Sequence, residues 1–166
     1  ESARIADVVL TVGTAVEYCA IPIIGPPLIS FFGSPINPPA CSIKNSNGVP
    51  VFATSNLETD FNAQIEEMKM LEQQGVSGLV FVTKGMCNKP DDMYEYMVSL
   101  ASHTELPIIL YEFPGLQPHL MDSVTYGKLA ATGKFKGIKD TTCKMPEIEA
   151  KIAVQGDSNV LQANIP

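Results

Sequence analysis

With 166 residues and 45% hydrophobic content, the chain is long enough for one domain with a real core and excludes a disordered reading. A formal net charge of −7 and the lack of any basic run exclude a nucleic-acid or anionic-membrane surface, leaving a small molecule or another protein as partner. Cys19, Cys41, Cys87 and Cys143 stand far apart and only His103 and His119 accompany them, so neither a zinc site nor a disulfide framework is indicated.

Ser2 to Val12 reads as an amphipathic helix, because Ile5, Val8, Val9 and Val12 recur at helical spacing. Gly13 to Gly48 follows as an irregular stretch broken by Pro22, Pro26, Pro27, Pro35, Pro38 and Pro39, ending in the polar connector Lys44-Asn45-Ser46-Asn47-Gly48. The apolar segment Ala20 to Ile36 cannot span a membrane as one helix, since prolines and glycines cut it. Glu1-Ser2-Ala3-Arg4 lacks the layout of a signal peptide, and a cytoplasmic protein with reduced thiols is expected.

From Val49 onward short apolar runs alternate with helix-like segments, the pattern of α/β units on a parallel sheet. Strands are expected at Pro50–Thr54, Gly78–Thr83, Pro107–Glu112, Phe135–Lys139 and Asn159–Ala163. A first helix, from about Thr59 to Gln74, would bury Phe61, Ile65, Met68 and Leu71 and stop at Gly75. A second begins at Pro90 with Asp91 and Asp92 at the positive end of its dipole, and carries Met93, Met97 and Leu100 on one side. A third runs from Asp122 to Thr132 before Gly133, and a fourth from Pro146 to Val154, with Ile148 and Ile152 four apart. Strands recur about every 25 to 30 residues, the length of a βα repeat in a TIM barrel. Two parts are therefore expected: residues 1–48, a helix and a proline-rich insertion, and residues 49–166, a partial barrel domain.

Two of these strands end in residues that carry chemistry. Tyr111 closes Leu106-Pro107-Ile108-Ile109-Leu110-Tyr111-Glu112-Phe113-Pro114, and Lys139, 28 residues later, closes Phe135-Lys136-Gly137-Ile138-Lys139-Asp140-Thr141-Thr142. By strand alternation Ile109 shares a face with Tyr111, and Phe135 and Gly137 share one with Lys139, so amine and phenol can point into one cavity. Glu112 and Asp140 fall on the opposite face; Glu112 reads as structural, and Asp140 as the partner of a surface lysine. The plainer alternatives are a solvated lysine beside Lys134 and Lys136, and a tyrosine closing the top of a core.

Leu110-Tyr111-x-x-Pro114, Gly137-Ile138-Lys139-Asp140 and the interval between them resemble the class I Schiff-base aldolases of the dihydrodipicolinate synthase and N-acetylneuraminate lyase superfamily, over about Val49 to Pro166. Tyr-Glu-x-Pro with Lys139-Asp140-Thr141-Thr142-Cys143 and Gln162-Ala163-Asn164 looks like an uncharacterised branch of it. The resemblance implies a partial (β/α)8 TIM barrel of about five parallel strands with helices, plus an irregular N-terminal segment. It also implies a lyase whose Lys139 forms a Schiff base with pyruvate or another 2-keto acid, for aldol cleavage or condensation. Such an amine must be neutral to attack, which a desolvated pocket or a nearby cation favours. Tyr111 would relay protons, while Thr141, Thr83 and Asn164 would contact substrate. Neither a metal nor a cofactor is implied; the partner is the keto acid, and a homodimer or homotetramer is expected. A metal-dependent barrel enzyme is disfavoured, since no His and carboxylate cluster falls at strand ends.

The chain departs from that pattern in three places. Pro114 is followed by Gly115, Leu116 and Gln117, where dihydrodipicolinate synthases place a carboxylate-binding arginine, and Lys84-Gly85-Met86-Cys87 stands where they have a Tyr-Tyr pair. A different substrate is implied. The first two strands of the family barrel and its last are not recognised, and Phe32-Gly33-Ser34 is the one stretch that could imitate its carboxylate-cradling loop. The alternative is thus an inactive truncated barrel that serves only as a binding or structural fragment.

Overall fold

The computed structural model describes residues 6–12, 15–21, 29–32, 50–84, 90–112, 114–116 and 119–162, with side chains described for 50–84, 91–112, 114–115 and 119–162. The described strands form one sheet: β1 (Ala6–Val12), β2 (Ala15–Ile21), β3 (Ile29–Phe32), β4 (Val51–Thr54), β5 (Gly78–Val82), β6 (Ile108–Glu112), β7 (Phe135–Asp140) and β8 (Asn159–Gln162). Their order is β2-β1-β3-β4-β5-β6-β7-β8, antiparallel between β1 and β2 and parallel at every other step. The helices are α1 (Phe61–Gln73), α2 (Pro90–Ala101), α3 (Ser123–Ala131) and α4 (Met145–Ile152).

The five expected strands and four expected helices from Val51 onward are present, with no end shifted by more than two residues. The N-terminal expectation is corrected. Ala6–Val12 is a strand, not a helix, and β2 and β3 fall inside the stretch read as irregular. Val8, Val9 and Val12 are β-branched, a side chain that loses rotamer freedom in a helix and suits a pleated surface. β1 then gains a full ladder against β2, from Ala6 opposite Ile21 to Val12 opposite Ala15.

Helix ends follow their capping residues. Asp60 accepts from the Ala63 N–H at 2.9 Å and Asp122 from the Thr125 N–H at 2.7 Å, each satisfying an orphan donor of the first turn. Gly75 follows α1 at φ +84°, a conformation that side chains with a Cβ rarely adopt.

The core lies between the helices and one face of the sheet. Met68 and Leu71 of α1, Met93, Met97 and Leu100 of α2, and Tyr126 and Leu129 of α3 pack with Leu79, Phe81, Ile108, Leu110 and Ile138 of the strands. Each such large apolar side chain stabilises by roughly 1.5–3 kcal/mol relative to exposure. Phe135 joins this helix-side cluster, not the Lys139 face expected from alternation. The cause is a register shift: Phe135 pairs with Ile108 but Gly137 pairs with Ile109, so an extra residue interrupts the alternation. In α4 the two isoleucines of helical spacing part company. Ile148 is 3% exposed, but Ile152 is 47% exposed and Lys151 occupies the buried face instead.

No helix among the described residues is long and apolar enough to cross a membrane.

Candidate active site

Parallel register puts Val82, Tyr111, Lys139 and Leu161 in one row across β5, β6, β7 and β8, near the C-terminal ends of the strands. The Lys139 Nζ sits 4.5 Å from the centroid of the Tyr111 ring, over its face. A cation there is held by the ring quadrupole, worth on the order of 0.5–2 kcal/mol depending on desolvation. Lys139 is 7% exposed, so it is not the solvated surface lysine of the plainer reading.

Gly137, two residues before Lys139, is tightly approached: a Cβ built on it would stand 3.1 Å from the Asn159 carbonyl oxygen of β8. The glycine lets β8 lie close against β7.

Thr83 is buried just beyond β5, where its N–H donates to the Tyr111 carbonyl at 2.9 Å and its hydroxyl to the same oxygen at 3.4 Å. Thr141 repeats the pattern on the next strand pair: its N–H and its hydroxyl both donate to the Glu112 carbonyl at 3.0 Å. Both threonines thereby extend the ladder beyond the strands and fix the Tyr111 and Glu112 carbonyls. Asn164 lies outside the described residues, as do the Phe113 and Gln117 of the tyrosine motif.

Asn56 makes the equivalent tie between β4 and β5, and nothing in the sequence singled it out. Its side-chain amide acts like a peptide group, accepting from the Val82 N–H at 2.8 Å and donating to the Val82 carbonyl at 3.0 Å. It also donates to the Tyr96 hydroxyl at 3.3 Å, which donates in turn to Gln64 Oε1 at 2.7 Å, linking β4, α2 and α1.

On the opposite face of the sheet, Glu112 and Asp140 are the register partners immediately after Tyr111 and Lys139. Lys151 Nζ donates to Asp140 Oδ2 at 2.7 Å and to Glu112 Oε2, and the exposures are 1% for the lysine and 0% for both carboxylates. Glu112 also accepts from the Met121 N–H, and Asp140 Oδ1 accepts from the Thr142 N–H at 2.8 Å and its hydroxyl at 2.6 Å. Burial pushes the Glu112 carboxyl up to about 6, only partly offset by Lys151. Burial also acts to raise Asp140, but its bonds to Lys151 and Thr142 outweigh it and hold that carboxyl below the usual range. Lys151 is raised: burial opposes its charge, and the two carboxylates more than compensate. Asp140 therefore does pair with a lysine, but a buried one. The sequence carried a signal for it, since two carboxylates on the inward-packed face of adjacent strands demand a cation, and Lys151 lies one helical step from Ile148.

Among the described residues no group of three or more His, Cys, Asp and Glu side chains could hold a metal ion.

A run of parallel strands with helices between them, in which adjacent strands end in a tyrosine and a buried lysine, has the architecture of a partial (β/α) barrel. Residues 50–162 match the Dihydrodipicolinate synthetase family, and the chain belongs to that family. It is 34% identical over 119 residues to the 4-hydroxy-tetrahydrodipicolinate synthase of Oceanobacillus iheyensis, covering 70% of this chain and 40% of that protein. To the enzyme of the same name from Moorella thermoacetica it is 32% identical over 90 residues, covering 53% and 30%. The chain thus spans well under half the length of these curated relatives. Among solved structures, the dihydrodipicolinate synthase of Thermotoga maritima superposes with a TM-score of 0.75 at 15% identity, over 94% of this chain and 63% of that one. YagE of E. coli K12, a prophage protein of the dihydrodipicolinic acid synthase family solved in complex with pyruvate, superposes with a TM-score of 0.63 at 25% identity, over 70% and 40%.

Proposed function

We propose that Lys139 forms a Schiff base with pyruvate or another 2-keto acid, and that the protein is a carbon–carbon lyase or synthase of that type. The observation that carries the reading is the buried Lys139 amine 4.5 Å from the Tyr111 ring centroid at neighbouring strand ends. The pyruvate-bound relative supports the substrate class.

In chemical terms, the neutral amine adds to the ketone carbon and the carbinolamine loses water. The resulting protonated imine draws electrons from the adjacent carbon, where a proton or a carbon–carbon bond can then be lost or gained. Tyr111 would carry protons to and from the carbinolamine and the leaving oxygen. Thr141 and Thr83, whose hydroxyls border the Tyr111 backbone, are the proposed substrate contacts, with Asn164. A cytoplasmic, homo-oligomeric enzyme fits the family, and the missing arginine after Pro114 favours a substrate other than that of dihydrodipicolinate synthases.

Borohydride reduction in the presence of pyruvate tests the reading. The intact mass is expected to rise by one reduced pyruvate adduct in the unaltered chain and not in Lys139→Ala. No rise, or an equal rise in both, sinks the imine and leaves the binding or structural fragment as the alternative.

A further inference from the structure

The buried Glu112–Lys151–Asp140 bridge lies on the face of the sheet opposite Tyr111 and Lys139, directly behind the residues the Schiff-base chemistry needs. Glu112 follows Tyr111, Asp140 follows Lys139, and the two pairs are consecutive steps of the same ladder. Side chains alternate across a strand, so whatever fixes Glu112 and Asp140 on one face fixes the pitch of Tyr111 and Lys139 on the other.

Three further features make this a rigid clamp. The lysine comes from α4, so the bridge locks that helix to β6 and β7 together. The remaining carboxylate oxygens are occupied by the Met121 N–H and by Thr142, which ties down the segments leading into α3 and out of β7. Two carboxylates on adjacent strands would repel in a dry interior, and Lys151 is the charge between them that lets the strand ends lie side by side. Replacing a buried ionic bridge by apolar residues of similar volume is often neutral or stabilising, so stability alone does not account for an ionic bridge here.

We propose that Glu112, Asp140 and Lys151 are positioning residues for Lys139 and Tyr111, setting the spacing and tilt of the β6 and β7 ends so that the amine lies over the ring. The kinetic part of this proposal rests on the reading of Lys139 as the imine-forming amine; the geometric part does not.

Two variants test it: Glu112→Gln, which keeps the shape and the Asp140–Lys151 pair, and the uncharged triple Glu112→Gln, Asp140→Asn, Lys151→Met. The Lys139 Nζ stands over the Tyr111 ring, so the resonance of the protons on the adjoining ε-carbon, identified by its loss in Lys139→Ala, is expected to be displaced upfield by ring shielding in the unaltered chain. In both variants it should return toward an ordinary lysine position. Borohydride trapping with pyruvate should slow by on the order of tenfold to a hundredfold, with little change in the pyruvate concentration for half-saturation, as misplacement of a reacting group demands. A folded variant that keeps either the displaced resonance or the trapping rate overturns the proposal, as does an unaltered chain without displacement. Loss of a cooperative thermal transition in both variants overturns it too, leaving a purely structural bridge. If the unaltered chain traps no pyruvate while the variants lose the displaced resonance, the proposed function fails and the positioning role stands.

Discussion

Tyr111 and Glu112 are neighbours in sequence with opposite surroundings, one beside the Lys139 amine and the other sealed against Lys151. Their consequences separate accordingly. Tyr111→Phe removes the hydroxyl that would move protons but keeps the ring under the amine, so the Lys139 adduct should still form while its rate falls by about a hundredfold or more. A time course of borohydride trapping reads this, and an unchanged rate would remove Tyr111 from the proton path. Glu112 bears on stability. Its carboxyl titrates at about 6 when folded, against an ordinary value of 4.5, so the folded state holds the proton more tightly. Its contribution is therefore greatest below about pH 4.5 and declines as pH rises to about 6, by on the order of 1–2 kcal/mol. Asp140, held below its ordinary 3.8, acts in the opposite sense: its contribution is present above that value and lost as pH falls through the folded value. Lys151 contributes fully below its ordinary 10.5 and loses that contribution as pH rises through its higher folded value. Urea titrations at pH 4.5 and pH 6.5 should show wild type losing stability relative to Glu112→Gln across this interval; parallel behaviour would contradict the raised carboxyl.

At the scale of elements, α4 is the place where periodicity and tertiary structure part. Ile148 and Ile152 share helical spacing, but only Ile148 is buried, because the position facing Glu112 and Asp140 is filled by Lys151. Ile148→Ala should cost about 2–4 kcal/mol and Ile152→Ala less than about 1, measured as denaturation midpoints; equal costs would place both on the packed face. The β4–β5 junction is tight in another way. A Cβ on Gly78 would fall 2.1 Å from Phe52 Cε1, and Phe52 is itself buried, so Gly78→Ala must displace a ring with little room to move. A loss of roughly 1–3 kcal/mol is expected, and restoring space with Gly78→Ala/Phe52→Leu should recover part of it.

Over the whole molecule, the residues from Val51 onward share one hydrophobic cluster between sheet and helices. Circular dichroism and near-ultraviolet signals should therefore melt together, and Ile148→Ala and Gly78→Ala should lower that same midpoint; separate transitions would mean separate cores. The sequence by itself determined the βα rhythm, the α1 and α2 core faces, the first-turn acids Asp91 and Asp92, the helix stops at Gly75 and Gly133, and the Lys139 and Tyr111 motif. These are local signals: periods of 2 and 3.6, turn residues, and short spacings along the chain. The tertiary structure alone decided four things. It made Ala6–Val12 a strand, because ladders with Ala15–Ile21 on one side and Ile29–Phe32 on the other override a helical pattern. It placed a register shift before Gly137 that moves Phe135 to the helix side, a choice set by the neighbouring strand. It recruited Asn56 as a substitute peptide group across 26 residues. And it chose Lys151 as the buried cation: two inward-facing carboxylates signal that a cation is needed, but which lysine supplies it is settled only when folding assembles the partners that offset its desolvation.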